Sequence, residues 1–69
     1  MFEIDARGLA CPEPVVLTQR GVAAHPEGIA VKVDNEASVE NISRFARARN
    51  YSVEVQRGSE DATLILTKA

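Results

Sequence analysis

The residue best suited to chemistry in this chain is its single cysteine, Cys11, which is framed by two prolines. It lies in the segment Asp5-Ala-Arg-Gly-Leu-Ala-Cys-Pro-Glu-Pro-Val15, between a glycine turn and an apolar segment that suits a helix. Proline is tolerated in the first turn of a helix because the N–H groups there have no intrahelical partner. We therefore predict a helix with Cys11 as N-cap, Pro12 at N1, Glu13 at N2 and Pro14 at N3.

A cysteine at a helix N-terminus lies in the partial positive charge of the aligned peptide groups, which favours the thiolate over the thiol. Pro12 and Pro14 have no N–H group, so the Glu13 N–H is the donor expected to point back at the sulfur. The Glu13 carboxylate opposes the thiolate. We expect a reactive Cys11 on a rigid support formed by Gly8, Pro12, Glu13 and Pro14. The alternative is a small, buried and inert cysteine, as most lone cysteines are.

Size and composition exclude several classes of protein. The 69 residues are expected to form one domain, near the size at which a single core is only just sufficient. A net charge of −2 and only three aromatic residues argue against a nucleic-acid binder. No apolar run approaches the roughly 18 residues of a membrane span. The lack of a signal-like N-terminus and the single cysteine favour the reducing cytoplasm.

The hydropathy pattern predicts six elements. Strands are expected at 2–6, 29–34, 51–56 and 62–67, and helices at 12–24 and 37–49. The first three strands alternate apolar and polar residues, so one face of the sheet is buried and both helices cover it. Right-handed crossovers make these three strands parallel. The fourth strand is antiparallel and the most apolar, which favours a place between strands two and three.

The predicted fold is thus an α/β (α+β) two-layer sandwich of order β-α-β-α-β-β, with a four-stranded mixed sheet and two helices on one face. At about 100° per residue, one arc of the first helix combines Val15, Val16, Val22 and Ala23. Leu17 and Arg20 fall on the other, exposed side. They are either ordinary surface residues, since an exposed leucine is normal, or a docking surface for a partner protein. The buried stripe of the second helix is expected to contain Val39, Ile42, Phe45 and Ala46.

Two further groups of residues have simpler interpretations. His25 lies at the far end of the first helix, about 20 Å from Cys11, so the two cannot share a metal ion. There is no Cys-x-x-Cys pair, and we expect neither a metal site nor a cofactor. Asp34, Asn35 and Glu36 are interpreted as helix-capping residues, and Arg44, Arg47 and Arg49 as surface charges that complement a helix dipole.

The spacing Gly8-x-x-Cys11-Pro12-x-Pro14 resembles the signature of the TusA/SirA/YedF family of small sulfur-carrier proteins. The stretches 33–36 and 40–46 are similar to the YedF subgroup in particular. The resemblance covers essentially all 69 residues, and the predicted order of elements matches the two-layer fold of that family. Two departures stand out: Gln19-Arg20 occupies the place of a common basic pair, and YedF proteins commonly continue into a second domain.

The resemblance implies that Cys11 accepts a sulfur atom as a persulfide from a cysteine desulfurase or another sulfurtransferase. The carrier then passes it to an acceptor protein, for tRNA thiolation or for sulfur or selenium metabolism. We expect a monomer that contacts donor and acceptor proteins, without direct nucleic-acid or membrane binding. The rival interpretations are a non-catalytic interaction or regulatory module with an inert Cys11, and an RNA-binding domain.

Overall fold

The computed structural model describes every residue from Met1 to Ala69. The elements are β1 (Phe2–Asp5), α1 (Glu13–Ala24), β2 (Gly28–Val33), α2 (Glu36–Ala48), β3 (Tyr51–Arg57) and β4 (Ala62–Lys68). The predicted order β-α-β-α-β-β is confirmed, and each boundary agrees with the expected one to within a residue. Neither helix has the length and apolar character needed to cross a membrane.

The four strands form one mixed sheet in the order β1-β2-β4-β3. β1 pairs parallel with β2, and β4 pairs antiparallel with both of its neighbours. The interior position predicted for β4 is therefore confirmed. One row across the sheet runs from Ile4 through Val31 and Leu64 to Val55, so apolar residues from all four strands share a face.

The hydrophobic core lies between this face and the two helices. Its fully buried members in the sheet are Ile29, Val31, Val33, Leu64 and Leu66. Burying each such side chain contributes about 1.5–3 kcal/mol. From the predicted stripe of α2, three residues are buried and Phe45 is half-buried. The core contacts of the sheet and of α2 are therefore made by residues that the alternation of the strands and the periodicity of the helix predicted.

The prediction for the buried arc of α1 is only partly correct, because Val15 and Val22 pack against the core without being its buried residues. The buried residues of this helix are Pro14, Thr18 and Gly21. Ala23 of the expected arc is exposed, and its three valines are only half-buried. Leu17 was predicted to be exposed, but it is half-buried and packs against the core. Arg20 is exposed, as expected.

Small side chains explain why α1 turns this arc towards the sheet. A Cβ atom at Gly21 would lie 2.6 Å from Cδ1 of Ile4 and 3.1 Å from Cδ1 of Ile29, so the helix approaches the sheet closely at this position. The Thr18 hydroxyl donates a hydrogen bond of 2.8 Å to the Pro14 carbonyl oxygen. Because that hydroxyl has a partner within the helix, Thr18 can be buried without an unsatisfied polar group.

The strict alternation predicted for the early strands is also incomplete. Five of the six residues of β2 are buried, and β2 lies inside the sheet, between β1 and β4. In β1, an edge strand, Phe2 keeps 45% of its surface exposed although it lies on the same face as Ile4. Hydropathy alone does not distinguish an interior strand from an edge strand.

Local signals identify the ends of α2. The Asn35 side chain caps α2 by accepting a hydrogen bond of 2.8 Å from the Ser38 N–H. Asn50, the predicted left-handed residue after α2, has a φ of 64°. His25 follows α1, and the hydroxyl of Tyr51 donates a hydrogen bond of 2.6 Å to the carbonyl oxygen of Pro26.

Candidate functional site

Cys11 is exposed and lies in the loop that connects β1 to α1. The helix begins one residue later than predicted. Its N-cap is Pro12, whose carbonyl oxygen accepts the first helical hydrogen bond from the Val16 N–H at 3.0 Å. Cys11 therefore directly precedes the cap instead of forming it, and the peptide bond between Cys11 and Pro12 is cis. The alternative interpretation of Cys11 as a buried residue is wrong.

The predicted contact between the Glu13 N–H and the sulfur is also wrong. This N–H donates to the Ala10 carbonyl oxygen at 2.9 Å and closes a turn around Cys11. Pro12 and Glu13 are exposed beside the cysteine, whereas Pro14 is fully buried beneath it. The helix start thus supports the loop through Pro14 and the Glu13–Ala10 hydrogen bond.

A polar contact that sequence reasoning missed reaches the sulfur from the second helix. The side-chain nitrogen Nδ2 of Asn41 lies 3.8 Å from Sγ of Cys11 and donates a weak hydrogen bond to it. The oxygen Oδ1 of Asn41 in turn accepts from Nη1 of Arg44 at 3.3 Å. No local motif announces this contact, because it depends on which residue of α2 faces the start of α1.

The loop before Cys11 is held to the end of β2. The Ala6 N–H donates to the Lys32 carbonyl oxygen at 2.8 Å, which extends the β1–β2 pairing by one residue. Gly8 has a φ of 78°, where glycine is favoured, and its N–H donates to Oδ2 of Asp34 at 2.8 Å. This hydrogen bond lowers the pKa of Asp34. Asp34 was predicted only as a capping residue.

An ion pair stabilises the same loop on its outer side. The Arg7 guanidinium donates to both carboxylate oxygens of Asp5, at 2.9 and 2.8 Å, and lies 3.6 Å from the carboxylate of Asp61. The hydrogen bonds from Arg7 lower the pKa of Asp5 to about 2, and the same pair raises the pKa of Arg7. Arg7 therefore links the loop to the turn between β3 and β4.

The two proposed docking residues meet at a shallow, largely apolar groove between α1 and the edge strand. Leu17 and Arg20 line it together with Phe2, Ile4, Gly21, Ala24 and His25. The rings of Phe2 and His25 stack with their centroids 4.1 Å apart. Arg20 takes part in none of the ion pairs of the structure. We call this surface the α1 groove.

His25 and Cys11 lie at opposite ends of α1, as predicted, so they do not form one site. His25 instead lies 3.7 Å from the carboxylate of Glu27. Of the three arginines of α2 and its end, Arg49 stacks its guanidinium 4.7 Å from the centre of the Phe45 ring. Arg44 belongs to the Asn41 contact described above, which its interpretation as a simple surface charge did not include.

Comparison with known proteins places this fold and loop in a family. The sequence profile of the family described as sulfurtransferase TusA matches residues 2–68. The chain belongs to the TusA family. A proposed sulfur carrier protein of Methanocaldococcus jannaschii is 33% identical over 70 residues, which cover 99% of this chain and 93% of that protein.

A solved structure supports the same conclusion at the level of the fold. The crystal structure of the SirA-like protein of Desulfitobacterium hafniense matches with a TM-score of 0.89 and 28% sequence identity, over 97% of this chain and 96% of that one. The resemblance to TusA and SirA proteins and the predicted two-layer fold are confirmed. The closer likeness to the YedF subgroup stays a prediction.

Proposed function

We propose that this TusA-family chain is a sulfur carrier that holds a sulfur atom as a persulfide on Cys11 and passes it from a donor protein to an acceptor protein. The observation that carries the proposal is the position of Cys11. It is exposed, and it lies in a loop fixed through Gly8 on one side and Pro14 on the other. A sulfur that two different proteins must reach has to protrude, and a fixed loop lowers the entropic cost of presenting it.

The proposed reaction is a thiol–disulfide-type exchange in two steps. In the first, the Cys11 thiolate attacks the outer sulfur of a persulfide on the donor cysteine. The donor S–S bond breaks, the donor cysteine leaves as a thiolate, and a new S–S bond forms on Cys11. In the second, an acceptor nucleophile attacks this outer sulfur and Cys11 leaves as a thiolate. There is no net oxidation, so the protein supplies a nucleophile and then a leaving group.

The supporting residues have separate roles in this proposal. Gly8 permits the left-handed turn that brings its N–H to Asp34, and Pro14 anchors the helix start in the core. Pro12 and Glu13 form the exposed surface next to the sulfur and are the first groups that a partner meets. We propose that residues 1–69 act as one unit. The compartment proposed is the reducing cytoplasm, where a lone thiol stays available.

The α1 groove is the surface proposed for docking of the donor or the acceptor. Leu17 and Phe2 offer apolar contact area, and Arg20 offers a positive charge that no carboxylate of this chain neutralises. Arg20 lies about 10 Å along the helix axis from the start of α1. A partner surface of the usual size, roughly 800 Å² on each side, covers both the groove and Cys11.

The proposal predicts that Cys11 takes up one sulfur atom. The purified chain is incubated with a cysteine desulfurase and free cysteine, and its intact mass is then measured. We expect a mass gain of one sulfur atom that a thiol reductant removes. Cys11→Ser should show no gain, because it lacks the only thiol.

Two controls make the result decisive. The desulfurase is assayed for its own persulfide in the same mixture, so that an inactive donor is recognised and replaced. If the donor is loaded and the wild-type chain still gains no mass, and no other sulfurtransferase or inorganic polysulfide loads it, the carrier function is wrong. The non-catalytic module with an inert Cys11 would then be favoured.

A further inference from the structure

We infer that Asn41 is a catalytic residue and that Arg44 is its positioning residue: the Asn41 amide donates to the Cys11 sulfur and stabilises the anionic form through which sulfur is taken up and released. The inference deepens the proposed function and rests on it. Its starting point is the contact of 3.8 Å between Nδ2 of Asn41 and Sγ, which is the one hydrogen bond that the sulfur receives. A hydrogen bond to the charged form of a group favours that form.

The orientation of the Asn41 amide follows from its second partner. A guanidinium group has donors only, so the amide atom that faces Arg44 at 3.3 Å must be the oxygen. The NH₂ group is then left to face the sulfur. Arg44 thus fixes which end of the amide Cys11 meets, and without it either end can face the thiolate. An oxygen in that place would repel a negatively charged sulfur.

The backbone of Asn41 is well placed to hold this contact. Asn41 is half-buried between the exposed Glu40 and the fully buried Ile42, in the middle of a helix whose N-terminus is capped by Asn35. The packing of Ile42 in the core fixes the rotation of α2 about its axis. The side chain of Asn41 therefore approaches the sulfur from a rigid element and not from a loop.

The start of α1 offers few backbone donors close to Cys11. Two of its residues are prolines without an N–H, and the Glu13 N–H is already bonded to Ala10. Of the backbone donors that a helix start normally offers to an anion, those at Pro12 and Pro14 are thus absent and that of Glu13 is occupied. Asn41 supplies from the second helix the hydrogen bond that the first helix does not.

The same hydrogen bond serves both steps of the proposed transfer. Before uptake, Sγ is the attacking nucleophile, and the Asn41 N–H donates to it. During release, the bond between Sγ and the outer sulfur breaks and Sγ departs with the electron pair as a thiolate. The donor then stabilises the leaving group. Asn41 is therefore expected to affect loading and unloading alike.

The experiment is the pH dependence of Cys11 alkylation by iodoacetamide, measured on the full chain. Asn41→Leu keeps the size of the side chain and removes the donor, and Asn41→Asp replaces it with a carboxylate. We expect the midpoint of the rate profile to move to higher pH in both variants, further in Asn41→Asp. At neutral pH the rate for Asn41→Leu should fall about 2- to 10-fold, the equivalent of one modest hydrogen bond. The plateau at high pH should not fall.

Matched variants separate this effect from a structural one. Arg44→Gln should shift the midpoint in the same direction by less, whereas Arg47→Gln, the same change one turn later on α2, should leave it in place. A loss of folding would instead give the alkylation profile of an unfolded chain, so the fold of each variant is checked by its urea-unfolding transition. If Asn41→Leu unfolds, Asn41→Asp and Arg44→Gln carry the test. A profile that coincides with that of the wild type in the folded variants overturns the inference.

The two proposals fail in different ways. If the wild-type chain accepts sulfur in the mass experiment and the alkylation profiles coincide, the carrier function stands and Asn41 has no part in it. If the wild-type chain accepts no sulfur from any donor, the carrier function is wrong whatever the profiles show. A shifted profile together with slower sulfur loading in Asn41→Leu supports both.

Discussion

Single residues hold the Cys11 loop through contacts that span long stretches of sequence. Asp34 is 26 positions from Gly8, and Asn41 is 30 positions from Cys11. Cys11 itself was predictable, because a lone cysteine beside two prolines is a local pattern. The polar partners were not, since each depends on how β2 and α2 pack beside the loop. Asp34 was interpreted as one of three capping residues, but only its neighbour Asn35 makes the capping hydrogen bond.

The hydrogen bond between Gly8 and Asp34 predicts a specific loss of stability in acid. Because the bond lowers the pKa of Asp34 below its ordinary value, folding favours the carboxylate. Its contribution to the free energy of unfolding is complete above the ordinary pKa and is lost as the pH falls through the lowered one. In Asp34→Asn the amide oxygen still accepts the hydrogen bond, but it does not titrate. We expect its free energy of unfolding to fall less on acidification than that of the wild type.

The measurement is urea unfolding at a series of pH values from about 5 downwards. Asp5, with its pKa lowered to about 2, also loses its contribution as the pH falls, but it is present in both proteins and affects both curves alike. Glu60→Gln is the control, because Glu60 is an exposed acid that makes no ion pair. Parallel pH curves for the wild type and Asp34→Asn would contradict the prediction.

Among the elements, the two helices differ in how well their packing was predicted. In α2, large apolar residues alternate with charged ones, so the periodicity alone identifies Val39, Ile42 and Ala46 as buried. In α1, the valines are more hydrophobic than Thr18 and Gly21. The helix nevertheless buries these two smaller residues, because they allow its backbone to approach the sheet closely. Hydropathy measures transfer from water and carries no information on how closely two backbones must approach.

The contact between α1 and β1 predicts a coupled effect of two substitutions. Gly21→Ala gains about 1 kcal/mol of helix propensity, but its new Cβ meets Cδ1 of Ile4 at 2.6 Å. Ile4→Val removes that methyl group. We therefore expect the double variant to be more stable than the sum of the single changes predicts, by about 0.5–1 kcal/mol or more. Urea unfolding of the four proteins in the cycle gives the coupling energy.

Ala24→Gly in place of Gly21→Ala provides a comparison on the same helix, since Ala24 is exposed. The effects of Ala24→Gly and Ile4→Val on the free energy of unfolding should be additive, because Ala24→Gly adds no atom that could meet Ile4. Additive behaviour in the Gly21–Ile4 cycle would show that the sheet accommodates the extra methyl group without strain.

In the whole molecule, Cys11 directly precedes α1 and the α1 groove lies beside the same helix, which is the basis of the proposed docking surface. We expect Arg20→Glu to weaken the binding of a sulfur-donor protein by about tenfold. Arg20 is the one arginine that lines the groove, it has no carboxylate partner within the chain, and the substitution reverses its charge. The melting temperature should stay the same, since Arg20 is exposed and makes no ion pair. Titration calorimetry with the donor measures the change.

Arg47→Glu is the matched control, as it makes the same charge change on the exposed face of the other helix. If it weakens binding as much as Arg20→Glu does, the effect comes from overall charge and the groove is not the docking site. Unchanged binding in Arg20→Glu leads to the same conclusion.

The arrangement of the sheet was predictable because β4 is the most apolar strand, and such a strand is stable only with neighbours on both sides. Its place between β2 and β3 also has a consequence for synthesis. When the chain has left the ribosome up to Arg57, β2 and β3 are present, but the strand that pairs with both of them is still missing. The sheet closes only when residues 62–68 emerge from the exit tunnel, so nascent chains paused before that point should remain sensitive to proteases.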